Sequence, residues 1–335
     1  MQIHDPKLFS VVIPTFNGTQ FLKRSLDYFR HLSFEGQIVL SDNSSGDHRK
    51  FIASSPDEYD DLWIETFLFE DGIRFLDKLV STLEKINSRF VMLHAHDDFM
   101  VPAAVERCVG FLDQNPAYTV ARGHVAMFAL ARTGTSSSGQ VSVSLVPHPM
   151  RGYEQETPVE RMIAHIERYA STFYSVHRRD NLIESFRITE ADTKNVIFFQ
   201  YLSSCISALQ GKIHCSDELF YIRHGHADSW SGSLKQGSYE HWPLLITSPD
   251  FSRYYQEFRA SLCRLFQLKL GLSPAAIGPR IDAAAVSLFR RGYCGQEFDN
   301  PEEVRFMQRL NDAGSAENRL LTAAIDFCVK YPETY

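Results

Sequence analysis

Leu8-Phe9-Ser10-Val11-Val12-Ile13-Pro14-Thr15-Phe16-Asn17-Gly18 decides the fold. A near-continuous apolar run of strand length stops at polar, turn-forming residues, as in a strand covered on both faces that opens at its carboxyl end. The pattern returns along the first third of the chain. Ile38–Leu40 delivers Ser41-Asp42-Asn43-Ser44-Ser45, Phe90–Leu93 delivers His94-Ala95-His96-Asp97-Asp98, and Trp63–Phe69 is a further apolar run. Between the runs, Leu22, Leu26 and Phe29, then Leu76, Val80 and Leu83, then Val105, Val109 and Leu112 recur at helical spacing, the last set after a first-turn Pro102. Strand and helix in alternation predict an α/β fold, a mostly parallel sheet with helices on both faces. Ligands collect at the carboxyl ends of such strands, so three polar tips converging on one rim mark the candidate site.

The chain has 335 residues, enough for one large domain with an appendage or for two domains. Its net charge of −7 argues against a general nucleic-acid binder, which needs a surplus of Lys and Arg on one face. The six cysteines form no CxxC pair and no dense framework, which suggests a reducing compartment. Met1 to Pro14 lacks a basic segment followed by a long apolar one, and no run of about 18 uncharged apolar residues occurs, so a cytoplasmic location is expected. Helical stripes continue at 158–169 and from Val196 to Leu209, glycine-rich loops fall at 133–139 and 225–237, and after about residue 241 the texture is helical. The expected division is a domain over 1–240, with halves meeting near 125, and a helical C-terminal region over 241–335.

Adjacent carboxylates at a strand tip, Asp97 and Asp98, repel each other unless a cation sits between them and a ligand. Mg²⁺ or Mn²⁺ solves that problem, because one or two carboxylates plus the oxygens of a diphosphate complete its shell. The plainer alternative is that the two acids cap the helix after Pro102. Asp42 is an acceptor suited to an imide N–H such as that of uracil, or else it closes an Asx turn in Asp42-Asn43-Ser44-Ser45.

Val12-Ile13-Pro14-Thr15-Phe16-Asn17, then Asp42-Asn43-Ser44, then Asp97-Asp98 resemble the P-T-x-N, D-x-S and D-x-D-type motifs of the family 2 glycosyltransferases, which have the GT-A fold. The resemblance covers about residues 8 to 225. It implies a Rossmann-like GT-A domain with an α-helical C-terminal extension. It also implies a nucleotide-diphosphate sugar donor, with UDP favoured, a Mn²⁺ or Mg²⁺ ion, and transfer with inversion to the hydroxyl of a glycan or lipid-linked acceptor in polysaccharide or glycoconjugate assembly. Carried over by position, Pro14, Thr15 and Asn17 border the nucleoside and Asp42, with Ser44 in its motif, holds the base. Lys78 contacts the base or diphosphate, Asp97 lies near the ribose or sugar, and Asp98 binds the metal. His96 stands where relatives often have a further acid. The general base would be Asp192, ahead of Glu190, before the stripe from Val196. His226 or His224 would complete the metal site, Arg223 would contact the diphosphate, and 225–237 would form a lid.

Three other readings fit parts of the chain. His94-x-His96-x-Asp98 matches the start of a zinc-hydrolase signature, although Phe99 replaces its last histidine. His96 and Gln200, where relatives can have acids, are changes that a non-catalytic nucleotide-sugar-binding subunit would accumulate. Phe258, Leu262, Leu265 and Phe266 with Arg259, Arg264 and Lys269 could form a basic amphipathic helix in peripheral contact with a membrane, or could pack on the main domain.

Overall fold

The structure is a computed structural model that describes residues 5–133, 140–193, 195–226, 246–294 and 300–334. Apart from Thr133, Gly225 and His226, the two predicted glycine-rich loops lie outside those residues. Four parallel strands form the first half of a nine-stranded sheet: β3 (Ile64–Leu68), β2 (Gln37–Asp42), β1 (Phe9–Thr15) and β4 (Phe90–Leu93), in that spatial order. The register pairs Thr15 with Asp42 and Val12 with Leu93, so the polar residues after all three strands emerge on one rim.

The sheet continues through β8 (Val176–Arg178), β6 (Tyr118–Thr133), β9 (Lys212–Gly225) and β5 (Phe99–Met100), while β7 (Gln140–His148) pairs with β6. Here β4 and β8 run antiparallel, as do β8 and β6, whereas β6 and β9 are parallel. The short β5 lies antiparallel to β9, pairing Phe99 with Ile222. That pairing carries the segment after Asp98 against the end of β9, where Arg223 and His224 emerge.

Side-chain alternation explains how the sheet is covered. Phe9, Val11, Ile13, Ile38, Leu40, Phe90 and Met92 face one core with α1 (Thr19–His31), α2 (Gly46–Glu58) and α4 (Pro102–Gln114). Val12, Val39, Val91 and Leu93 face another with α3 (Phe75–Lys85), α6 (Arg179–Asp192) and α7 (Val196–Gln210). β1, β2 and β4 are thus enclosed from both sides, as their unbroken apolar runs predict. A third core joins α7 to α5 (Pro158–Glu167), α8 (Phe251–Leu270) and α9 (Pro274–Cys294). The remaining helices, α10 (Pro301–Asn311) and α11 (Ala316–Val329), send Phe306, Leu310, Leu321 and Phe327 into the first core instead. The helical C-terminal region therefore clasps two different parts of the sheet domain.

The α/β class with a Rossmann-like parallel half and a helical C-terminal region is as expected. Differences are local. β3 is only half-buried because it is the sheet edge, so its apolar run did not signal burial on both faces. α2 carries too few apolar residues to announce itself, burying only Ile52 and Ser55. β8 is three residues long and polar at two of them, too short to show alternation.

The C-terminal helices do not offer a membrane-binding face through the residues predicted for it. Phe258, Leu262, Leu265 and Phe266 are buried in the third core. Arg259 pairs with Asp282, Arg264 with Asp192 and Lys269 with Glu184, so the basic residues serve the fold. No helix among the described residues is long and apolar enough to cross a membrane.

Candidate active site

The first two strand tips are welded together by Asp42. Its Oδ1 accepts from Thr15 Oγ1 at 2.8 Å and from Ser44 Oγ at 2.6 Å, and its Oδ2 accepts the Ser44 N–H at 3.0 Å. The last bond is the Asx turn that the composition allowed. Asp42 is fully buried, so its carboxylate organises the tip rather than standing open to a base. Ser44 Oγ also accepts the Asn17 N–H at 2.8 Å. Asn17 takes a left-handed conformation with φ 50°, which Asn tolerates better than most residues. Pro14 is half-buried just before this turn, and the Phe16 ring beside it is 53% exposed.

Lys78 braces the same tip from α3. Its buried Nζ donates to the Thr15 carbonyl at 2.9 Å and to Asn43 Oδ1 at 2.5 Å. Burial lowers its ammonium to about 8, opposed by the nearby Asp42 charge. Lys78 is therefore engaged beneath the site, where it fixes the loop that a nucleoside would touch.

The third tip abuts the first. Gly18 faces the His96 ring so closely that a Cβ there would fall 2.4 Å from Nε2. Glycine is required by that approach. His96 also meets the Phe21 ring edge-on at 5.7 Å, and burial lowers its imidazole. Asp97 Oδ2 accepts from His226 Nε2 at 2.9 Å, and the His226 ring stacks on Phe21 at 4.3 Å. Asp98 is buried, its Oδ1 accepting the His224 N–H at 2.9 Å and its Oδ2 lying 3.8 Å from Arg223 Nε. Burial and the Asp97 charge raise the Asp98 carboxyl, against the pull of Arg223. Burial also acts to raise Asp97, but the His226 hydrogen bond and the His96 and His226 charges outweigh it and hold that carboxyl low.

These bonds dispose of the plainer alternative for the acidic pair. Neither acid caps the following helix, whose N-cap is Val101 with no side-chain bond. His94 of the zinc-hydrolase signature is fully buried, packed against the rings of Phe29 and Tyr221.

The two candidate histidine ligands have different surroundings. His224 Nδ1 lies 3.1 Å from Arg24 Nη1, and because arginine can only donate, Nδ1 must accept. The proton then sits on Nε2, which faces Cys328 Sγ at 3.7 Å. The His224 ring is thus directed into the interior and does not serve as the predicted metal ligand, whereas its main chain serves Asp98. His226 is the histidine that meets the acids.

A hard divalent ion needs carboxylate and phosphate oxygens. Asp97 and Asp98 supply that chemistry, but no group of three or more His, Cys, Asp and Glu residues that could hold a metal forms among the described residues. The donor set fits an ion that a bound diphosphate completes, with the acids providing the protein's share.

Both predicted bases, Asp192 and Glu190, lie in ion pairs. Asp192 ends α6, and its Oδ2 accepts short hydrogen bonds from Ser261 Oγ and Arg264 Nη2 of α8. It acts as a clamp between helices. Glu190, two residues before Asp192, pairs with Arg74 at the start of α3, the helix that carries Lys78. A cleft of about 470 Å³ lined by Glu84, Arg179, Asp180, Glu184 and Arg187 lies toward the far end of α3, away from the strand tips.

No family profile and no curated protein matches this chain. Among solved structures it is similar to residues 1–349 of TarS from S. aureus in complex with UDP-GlcNAc, with 16% identity, a TM-score of 0.43 and coverage of 97% of this chain and 89% of that one. It spans 54% of a longer TarS structure. It is similar also to the mannosyltransferase PcManGT from Pyrobaculum calidifontis in complex with GDP-Man and Mn²⁺, with 11% identity, a TM-score of 0.47 and coverage of 97% and 81%. By its own topology, a parallel β3-β2-β1-β4 half extended through antiparallel β8 and with three polar tips on one rim, the chain has the Rossmann-like α/β architecture expected of a GT-A domain.

Proposed function

We propose that this protein is a glycosyltransferase of family 2 type that moves a sugar from a nucleoside-diphosphate sugar to an acceptor hydroxyl. One observation carries the proposal: the β1 tip joins both other tips, binding Asp42 through Thr15 and meeting His96 through Gly18. A nucleoside lying over Pro14, Thr15 and Asn17 would direct its diphosphate toward Asp97 and Asp98. Asp98, with Asp97 beside it, would hold Mn²⁺ or Mg²⁺, which neutralises charge on the leaving diphosphate when bound. Arg223, 38% exposed at its side chain and 3.8 Å from Asp98, would meet the same charge.

Of the two predicted bases, Glu190 is the one this reading favours. It faces the helix that braces the donor tip, whereas Asp192 is occupied by α8. Inversion requires that the base take the acceptor proton as the hydroxyl attacks the anomeric carbon. Polysaccharide or glycoconjugate assembly is the setting proposed from the motif resemblance, with UDP as the favoured nucleotide.

The test is a titration of UDP, GDP and ADP, each with and without Mn²⁺, against the parent and Asp98→Ala. The parent is expected to bind one of them with metal dependence, and Asp98→Ala to weaken that binding by about 100-fold, a loss of roughly 2.7 kcal/mol. Equal binding by the variant refutes the site. With a donor identified, Glu190→Gln is expected to abolish turnover while binding persists, and Asp192→Asn to lower the melting temperature more than the rate. Persistent donor binding with no donor hydrolysis and no transfer would instead identify a binding subunit.

A further inference from the structure

Arg24 is the largest polar side chain enclosed beneath the acidic tip, being 1% exposed on α1. Its Nη2 donates a short hydrogen bond to the main-chain carbonyl of Asp97. Its Nη1 donates to Thr334 Oγ1 at 2.8 Å, and also meets His224 Nδ1 and Cys328 Sγ, each at 3.1 Å. One helical turn on, Asp27 accepts from Tyr331 OH at 2.9 Å. Residues 24 and 27 of α1 therefore grip residues 334 and 331 of the turn that follows α11.

The partners of the guanidinium are neutral acceptors. Burial pushes the guanidinium pKa down from its ordinary value, and the charges that oppose burial include those of Asp97 and Asp98. An apolar residue would fill this position with less desolvation penalty if packing were the whole purpose. What arginine adds is a donor on the peptide that joins the two acids, together with a positive charge beneath them.

We propose that Arg24 is a positioning residue for the diphosphate site: anchored from below by Thr334, it fixes the Asp97–Asp98 peptide and thereby aims both carboxylates. The inference rests on the function proposed above and adds a part of the chain, the turn at 331–334, to its donor site. Thr334→Val keeps the shape of the side chain and removes the acceptor, while Arg24→Lys keeps the charge and loses the fork that reaches both Thr334 and Asp97.

The experiment compares the nucleoside diphosphate that the parent binds best, with Mn²⁺, against the corresponding nucleoside alone. Thr334→Val is expected to weaken the diphosphate by about fivefold and Arg24→Lys by about thirtyfold, the scale of one and two lost hydrogen bonds. Nucleoside binding stays at the parent value in both, which a general loosening of the fold would not produce. If both folded variants bind the diphosphate as the parent does, Arg24 has no positioning role although the donor site stands. If nucleoside and diphosphate weaken equally, the contact is structural and the proposal falls. Should Arg24→Lys fail to fold, Thr334→Val decides alone. A parent that binds no nucleoside diphosphate overturns the functional proposal itself, and this inference with it.

Discussion

Below pH 6 the protein is expected to lose stability steeply. Four histidines, His94, His165, His177 and His224, are at most 2% exposed, and burial depresses all of them, to about 3 for His94, His165 and His224 and about 4 for His177. An unfolded histidine titrates near 6.5. Between those values the unfolded chain binds protons that the folded chain refuses, so stability is present above pH 6.5 and is lost as pH falls toward the folded values. Each such group contributes about 1.4 kcal/mol per pH unit, so four together remove about 5 kcal/mol per unit, comparable with a typical margin of 5–15 kcal/mol. The raised Asp98 carboxyl works in the opposite direction, as one group against four. For a chain of this length the melting temperature should fall by roughly 7 °C for each pH unit between about 6 and 4.5. Thermal melts by circular dichroism at several pH values check this, and a flat profile from pH 7.5 to 5 would show that the buried rings can take protons.

Asp42→Ala should damage both the fold of the rim and its ligand. The substitution strands the Ser44 N–H and two hydroxyls in a buried place, and it removes the negative charge that supports the Lys78 ammonium. Leaving a buried donor unsatisfied costs about 1–3 kcal/mol, and the vacated volume adds to that, so a total near 3 kcal/mol is expected. Because Thr15, Asn17 and Ser44 share the network, the nucleoside-facing loop loses its shape as well. Affinity for the nucleoside diphosphate should drop about 100-fold, roughly 2.7 kcal/mol. Calorimetric titration alongside a denaturant melt separates the two losses. Unchanged affinity in a destabilised variant would mean that the tip supports the sheet only.

The rim was legible because polar residues directly after unbroken apolar runs have few uses other than turns and ligands. Thr15, Asp42 and the acids at 97 and 98 were therefore found from the order of the motifs alone. What each carboxylate does was less legible. Asp192 looks like any acid ahead of a helix, and its clamp to Arg264 joins residues 72 positions apart. His224 and His226 are alike in sequence, and only the packing of α11 turns the first inward toward Cys328. Arg24 was missed because a charged residue on an amphipathic helix usually faces water, and its partners lie between 73 and 310 positions away. A signal did exist. Phe21 and Tyr28, three before it and four after it, place Arg24 in the middle of an apolar stripe, where an arginine needs a reason.

The split clasp of the C-terminal helices bears on how this protein can be handled. Since α8 and α9 close one core and α10 and α11 another, a fragment ending near residue 240 would lay bare two greasy surfaces on separate sides. It should precipitate when expressed alone, and shortening the protein to obtain a minimal enzyme is the wrong strategy for crystallisation.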